Sequence, residues 1–226
     1  MNNYLSINNL KSGDVLLCRS KSDKDIVSNK IGKVTDSKYC HAAIYIGNNI
    51  AAESRAIEGR WLKGEVVKNN IKDIVKRYGH IAVFRQPDAW PSDRIEALDL
   101  FINNVVETGA KYNLSGIKNF TNNKEEHNAN VYEKLNDFFN NNIQANSPNK
   151  DKYFCSELVA DCFVATEFLS ASAAVLYKSD TYSPGDLGKD PTFGTFVGYI
   201  TSKKDYVIPD NDDFVNNTTY SEIFGE

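Results

Sequence analysis

"KYFCSELVADCF", residues 152–163, decides how the chain is read, because it places a cysteine directly after an aromatic pair and at the head of a helical pattern. Leu158, Val159, Cys162 and Phe163 fall on one apolar face at helical spacing, so the segment from Cys155 onward predicts a helix. Cys162 belongs to that stripe and is explained by packing, cysteine being among the most buried residue types. Cys155 comes before the stripe, beside Ser156 and Glu157, which are polar first-turn residues. A thiol in a first turn faces free N–H groups and the positive end of the helix dipole, both of which favour its anion. Cys155 is the candidate nucleophile, and thiol chemistry then calls for a base, a group that orients the base and donors for a developing oxyanion.

The base has few candidates: His41, His80 and His127 are the three histidines, and they lie far apart in the chain. His41 opens the strand-like run "HAAIYIG", where a side chain at the strand end overhangs a cleft while Ala43 and Tyr45 continue its face. Standing alone, it would most simply be a surface or hydrogen-bonded core histidine. It does not stand alone, because Glu53 follows in the next strand, a carboxylate in the small apolar run "IAAES" that asks for a partner. Register supplies a test. A two-residue turn at Asn48 and Asn49 pairs Gly47 with Ile50 and sends His41 and Glu53 to opposite faces; a three-residue loop pairs Ala43 with Glu53 and sets His41 diagonally beside it. If Glu53 orients the imidazole, the loop is odd in length or the hairpin contains a bulge.

The other candidates attract no role. His80 opens "HIAVF" without an evident partner, and His127 lies in a polar stretch. Cys40, next to His41, is expected to point to the opposite sheet face as packing. Trp61 and Trp90 are expected to pack over core edges.

Around these residues the chain reads as one domain, 1–226, with 41% hydrophobic residues, enough for a single core. A strand is predicted from Asp14 to Cys18, a hairpin around Gly47, Asn48 and Asn49, a strand from Glu65 to Lys68, a short helix from Ile71 to Lys76, and a strand in "HIAVFRQ" ended by Pro87. Ile95, Leu98, Ile102 and Val105 predict a helix capped by Ser92 or Asp93 and closed before Gly109. Between Asn119 and Asn149, 11 of 31 residues are asparagine, and this segment reads as an insertion holding one amphipathic helix with Val131, Leu135, Phe138 and Phe139. "FGTFVGYI" reads as a late strand. Helices and strands without a βαβα rhythm predict an α+β fold with a mainly antiparallel sheet.

The net charge of −4 and the absence of a Lys/Arg run exclude a nucleic-acid footprint or a polybasic membrane patch. No stretch approaches the roughly 20 apolar residues of a spanning helix; "FLSASAAVLY" from Phe168 is the longest weakly polar run. "MNNYLSINNL" lacks the features of a secretory signal, which predicts a cytoplasmic chain, or one exported by a signal-independent route as a toxin or effector. Cys18, Cys40, Cys155 and Cys162 show no CxxC spacing and are expected as reduced thiols, with no metal site and no cofactor.

"LKSGDVLL", "HAAIYIG", Glu53, "GAKYN", "YFCSELV", "SPGDL" and "VGYI", in that order, resemble the circularly permuted branch of the NlpC papain-like cysteine hydrolases. The resemblance touches most of the chain, leaving out the Asn-rich insertion and the tail after Tyr206. It implies a permuted papain-like fold, with the nucleophile helix packed on a mainly antiparallel sheet or barrel and the histidine strand preceding the cysteine. Carried over, Cys155 is the nucleophile, His41 the base and Glu53 the orienting residue. Non-permuted relatives place a tyrosine of a "PYxxGG" segment near the oxyanion, for which Tyr112 in "AKYNLSG" is the match. "CSE" stands here where they have "CSG".

The implied activity is a cysteine amidase or peptidase acting on a peptide or a cell-wall fragment through a thioester acyl-enzyme. An alternative is lipid or thioester hydrolysis or acyl transfer, since lecithin:retinol acyltransferase and its relatives share the histidine strand and the permuted order. A further alternative, of a different class, is a non-catalytic binding module on the same fold.

Overall fold

Two asparagines in left-handed backbone, Asn48 at φ 51° and Asn49 at φ 61°, turn the chain tightly between its two central strands. Asparagine tolerates this region better than other non-glycine residues, and consecutive positive φ values suit the twist of a two-residue hairpin. The computed structural model describes residues 3–21, 37–57, 60–203 and 205–225, with backbone alone at 57 and 60–63. In chain order the elements are β1 (Val15–Arg19), β2 (Tyr39–Gly47), β3 (Ile50–Ile57), β4 (Arg60–Asn70), α1 (Ile71–Arg77), β5 (His80–Arg85) and α2 (Ser92–Glu107). There follow β6 (Lys111–Tyr112), α3 (Leu114–Phe139), β7 (Lys152–Tyr153), α4 (Cys155–Ala165), α5 (Ala171–Leu176), α6 (Pro184–Lys189), β8 (Thr195–Thr201) and α7 (Tyr220–Phe224).

The fold is α+β. One mixed sheet runs β7-β6-β4-β3-β2-β1-β5-β8, antiparallel throughout except for the short parallel pair β6–β7. Both faces of its centre are covered, which is why β1 and β2 read as nearly unbroken apolar runs rather than alternating ones. On one face Leu17, Ala42, Ile44, Ala52 and Phe84 meet Leu158, Val159, Cys162 and Phe163 of α4 and Leu98 and Ile102 of α2. On the other, Leu16, Ala43, Tyr45, Ala51 and Ile81 are covered by Ile71, Ile74 and Val75 of α1.

The hairpin has both a two-residue turn and a bulge. Gly47 pairs with Ile50, but Tyr45 pairs with Ala51 and Ile44 with Ala52, so Ile46 is an extra residue on β2. That residue inverts the facing of everything before it in β2 relative to β3. Continuing the register sets Ala43 opposite Glu53 and brings His41 and Glu53 to one side, the side covered by α1.

Some expectations are corrected. The helix of the Asn-rich segment begins at Leu114, well before residue 119, because Asn113 caps it by accepting the Gly116 N–H at 2.8 Å. Its buried side chains are Phe120 and His127; Phe139 is 66% exposed and does not form an inner face. The cap of α2 is Pro91, without a side-chain bond, rather than Ser92 or Asp93. Trp90 packs edge-on to Phe163, with ring centroids 5.5 Å apart, and lies so close over Gly13 that a Cβ there would come within 2.4 Å of the indole. The Trp61 side chain lies outside the described residues.

The tail is pinned to the sheet by one buried carboxylate. Asp212 accepts from Tyr199 Oη at 2.7 Å, Tyr39 Oη at 3.0 Å, Arg19 Nη1 at 2.9 Å and the Phe214 N–H at 3.1 Å, and lies 2.9 Å from His80 Nε2. His80 therefore has a partner, one that comes from the far end of the chain. Asp212→Ala strands an arginine and two phenols in the interior. It is expected to destabilise the protein by about 3–5 kcal/mol, read by urea unfolding; a loss under about 1 kcal/mol would show the clasp to be dispensable.

Candidate active site

Cys155 is the first residue of α4, and what precedes it is tied down on both sides. Ser54 of β3 donates to the Tyr153 carbonyl at 2.6 Å, and Glu157 accepts the Phe154 N–H at 3.1 Å, holding the chain as it enters the helix. Glu157 also receives Asn113 Nδ2 at 3.1 Å and Lys150 Nζ at 3.0 Å, and Lys150 reaches on to Asp161 at 2.7 Å. The first turn of α4 is thus fixed to both ends of the Asn-rich segment.

The β2–β3 ladder runs from the turn to Ile44–Ala52. Beyond that point the Ala42 and Ser156 N–H groups lie near enough to the Cys155 sulfur to favour its anion. The thiol comes from the α4 side of the sheet, whereas His41 lies on the α1 side, and the two lie near enough where the ladder has ended for each to shift the other's ionisation. His41 Nε2 donates to Glu53 Oε2 at 2.7 Å, leaving Nδ1 as the ring nitrogen for sulfur. The three residues proposed from sequence are therefore brought together, His41 bonded to Glu53 and next to Cys155. They are buried: Cys155 is 3% exposed, His41 7% and Glu53 0%.

The charges are set by these contacts. Burial alone would raise the Cys155 thiol, but the imidazole hydrogen bond, its charge and the Ala42 and Ser156 N–H groups outweigh it and lower the pKa. Burial would likewise depress His41, yet its bonds to Cys155 and Glu53 lift it to about 9. Burial opposes ionisation of Glu53, and the His41 and Arg77 contacts overcome this, taking it down to about 2. These contacts all work in the direction of the charged forms: thiolate, imidazolium and carboxylate.

Tyr112 stands at the end of β6, paired with Tyr153, the second residue before Cys155. Burial first, then the nearness of Cys155 and Cys40, raises its phenol well above the ordinary range, which keeps it a donor. Gly64 makes room for it: a Cβ there would lie 2.7 Å from that of Tyr112. Cys40 occupies a second bulge, between the pairs Cys18–His41 and Arg19–Tyr39, and its thiol donates to the Cys18 carbonyl at 3.6 Å.

Three neighbours carried no signal in the sequence. Asn69 Nδ2 donates to Glu53 Oε1 at 2.6 Å, Arg77 Nη2 donates to the same oxygen, and the Tyr78 ring stacks on His41 at 5.4 Å and 9°. Their positions relative to the triad depend on β4 pairing with β3 and on α1 folding back across the sheet. His127, expected in a polar stretch, is buried, with Nε2 donating to the Leu176 carbonyl at 2.8 Å.

No family model matches the sequence, and no curated protein matches it. Among solved structures, the crystal structure of metalloprotein yiiX from Escherichia coli O157:H7, DUF1105, aligns with a TM-score of 0.40 and 15% identity, covering 68% of this chain and 64% of that one. The match thus spans less than two thirds of that protein's chain. Among the described residues here, no group of three His, Cys, Asp or Glu side chains is placed to hold a metal, and no helix is long and apolar enough to cross a membrane.

The raised His41 contributes stability in full below its unfolded value of 6.5 and loses it as pH rises through about 9. The depressed Glu53 contributes above 4.5 and loses it as pH falls through about 2. An NMR titration of the His41 ring is expected to show its midpoint near 9, falling by about 1–3 units in Glu53→Gln. A wild-type midpoint at 6.5 would contradict the assignment.

Proposed function

We propose that this chain is a thiol-dependent hydrolase that cleaves an amide bond of a peptide or cell-wall peptide, on a circularly permuted papain-like arrangement. The observation that carries the proposal is the placement of Cys155 beside His41, whose other side is bonded to the buried Glu53 carboxylate. A buried cysteine serving only as packing has no need of an imidazole, two N–H donors and a buried carboxylate behind them. The permuted reading is supported by a histidine strand that precedes the nucleophile helix and by the packing of that helix on the sheet.

The chemistry follows from the charges. The Cys155 thiolate attacks the substrate carbonyl, forming a C–S bond while the carbonyl π pair moves to oxygen. The Cys155 N–H at the head of α4 has no preceding helical carbonyl to serve, so it is free for that oxyanion, with the Tyr112 hydroxyl as second donor. Collapse breaks the C–N bond, and the imidazolium Nδ1–H protonates the departing amine. The now neutral imidazole takes a proton from water, whose oxygen attacks the thioester; the acid leaves and the proton returns to the Cys155–His41 pair. Throughout, Glu53 holds the ring on its Nε2 side, so that Nδ1 stays aimed at sulfur.

Lipid or thioester hydrolysis and acyl transfer would use the same three residues, so the test separates substrates. Wall peptides, acyl-thioesters and phospholipids are incubated with wild type and with Cys155→Ala. Amide cleavage of the peptides is expected, falling about 10⁴-fold or more in Cys155→Ala. Product from lipids alone would overturn the amidase reading. A Cys155 that labels with iodoacetamide near pH 6 no faster than an ordinary thiol, whose pKa is about 8.5, would favour a binding module instead.

A further inference from the structure

We propose that Arg77 is a positioning residue that holds Glu53 as a carboxylate through every stage of the reaction, including those in which His41 carries no charge, with Tyr78 fixing the plane of the imidazole. The assignment rests on the hydrolase reading above and extends it to residues that never touch substrate.

The need arises from burial. Glu53 is 0% exposed, and a lone carboxylate in such a place prefers to take up a proton. While His41 is an imidazolium, Glu53 has a cation against Oε2. Once His41 has protonated the leaving amine it is neutral, and the Glu53 charge must be held by something else until the acyl-enzyme is hydrolysed. Facing Glu53 are His41 from β2, Cys18 from β1, Asn69 from β4, and Arg77 with Tyr78 at the end of α1. Of these only Arg77 is a permanent cation, since a guanidinium does not titrate in the working range. Its Nη2 bonds Oε1, the oxygen that His41 does not use, so the two partners do not compete.

Two further observations separate this role from plain stabilisation. Arg77 Nε is buried without a partner among the described residues, a cost that a surface ion pair would not incur. The residue that follows reaches the same triad: the Tyr78 ring stacks on His41, and the Arg77 guanidinium lies 5.7 Å over that ring. Successive residues at the end of α1 thus act on successive members of the triad, one on the carboxylate by charge and one on the imidazole by stacking. Ile71, Ile74 and Val75 anchor α1 to the sheet and so set the position of both.

The test reads the Glu53 carboxyl directly, by side-chain ¹³C NMR titration in the full-length Cys155→Ala protein. With Arg77 present the carboxyl is expected to stay ionised far into acid. In Arg77→Gln its midpoint is expected to rise by about one unit or more, because a nearby cation has been removed. Arg77→Lys, which restores the charge, is expected to stay within about half a unit of the parent. In the Cys155-containing enzyme, Arg77→Gln is expected to move the acid limb of kcat to higher pH, whereas a merely structural loss would lower the rate without moving the limb. An unmoved carboxyl in Arg77→Gln overturns the proposal, as does Arg77→Lys rising as far as Arg77→Gln. If Arg77→Gln does not fold, Arg77→Lys carries the test alone, and a rise of more than about one unit overturns the proposal. If the carboxyl shifts as expected while wild-type Cys155 reacts as an ordinary thiol, the hydrolase reading fails and the Arg77–Glu53 assignment stands as electrostatics alone.

Discussion

One extra residue in β2 governs the site. Without the bulge at Ile46, the tight turn at Asn48 and Asn49 would send His41 and Glu53 to opposite faces of the sheet. With it, they share the α1 face at hydrogen-bond distance, and the early end of the β2–β3 ladder admits the head of α4 from the other side. Cys155 and His41 therefore belong to opposite layers of the fold and meet through an interruption in the sheet. Lengthening the ladder by one pair would occupy the Ala42 N–H that now serves the sulfur.

This arrangement depends on burying charge and answering each charge locally. Asp14 takes a two-pronged contact from Arg85, at 2.8 and 2.7 Å, Asp212 takes Arg19, Asp161 takes Lys150, and Glu53 takes Arg77. Arg85, Arg19 and Arg77 come from other elements of the chain, and Lys150, eleven residues before Asp161, ties the end of the Asn-rich segment to α4. Buried pairs of this kind add little net stability, yet breaking one is costly, so they specify arrangement more than they strengthen it. At Glu53 the same device holds the anion that is bonded to the His41 imidazole.

Much of this was legible in the sequence for identifiable reasons. Cys155 stood out because it preceded its own apolar stripe, and Glu53 because a carboxylate in "IAAES" needed a partner; the parity argument then required an odd loop or a bulge, and a bulge is present. What could not be read was whatever depends on chain segments meeting over long distances. Arg77 and Asn69 lie just outside the short helix and the strand that the sequence predicts, and His80 had no evident companion; their partners lie 24, 16 and 132 positions away. The extent of α3 was misjudged because Asn113, an asparagine among many, is its cap, and composition says nothing of which asparagine accepts a helix N–H.

The most direct test of the account is the ultraviolet absorbance of the Cys155 thiolate as a function of pH, taken as the difference between wild type and Cys155→Ala. The account predicts a thiolate that persists well below the ordinary thiol pKa of about 8.5, and a titration moved up to or above that value in His41→Ala, where burial is no longer opposed by the imidazole. A single step at the ordinary value in both proteins would contradict it, because the sulfur and the imidazole would then share no charge.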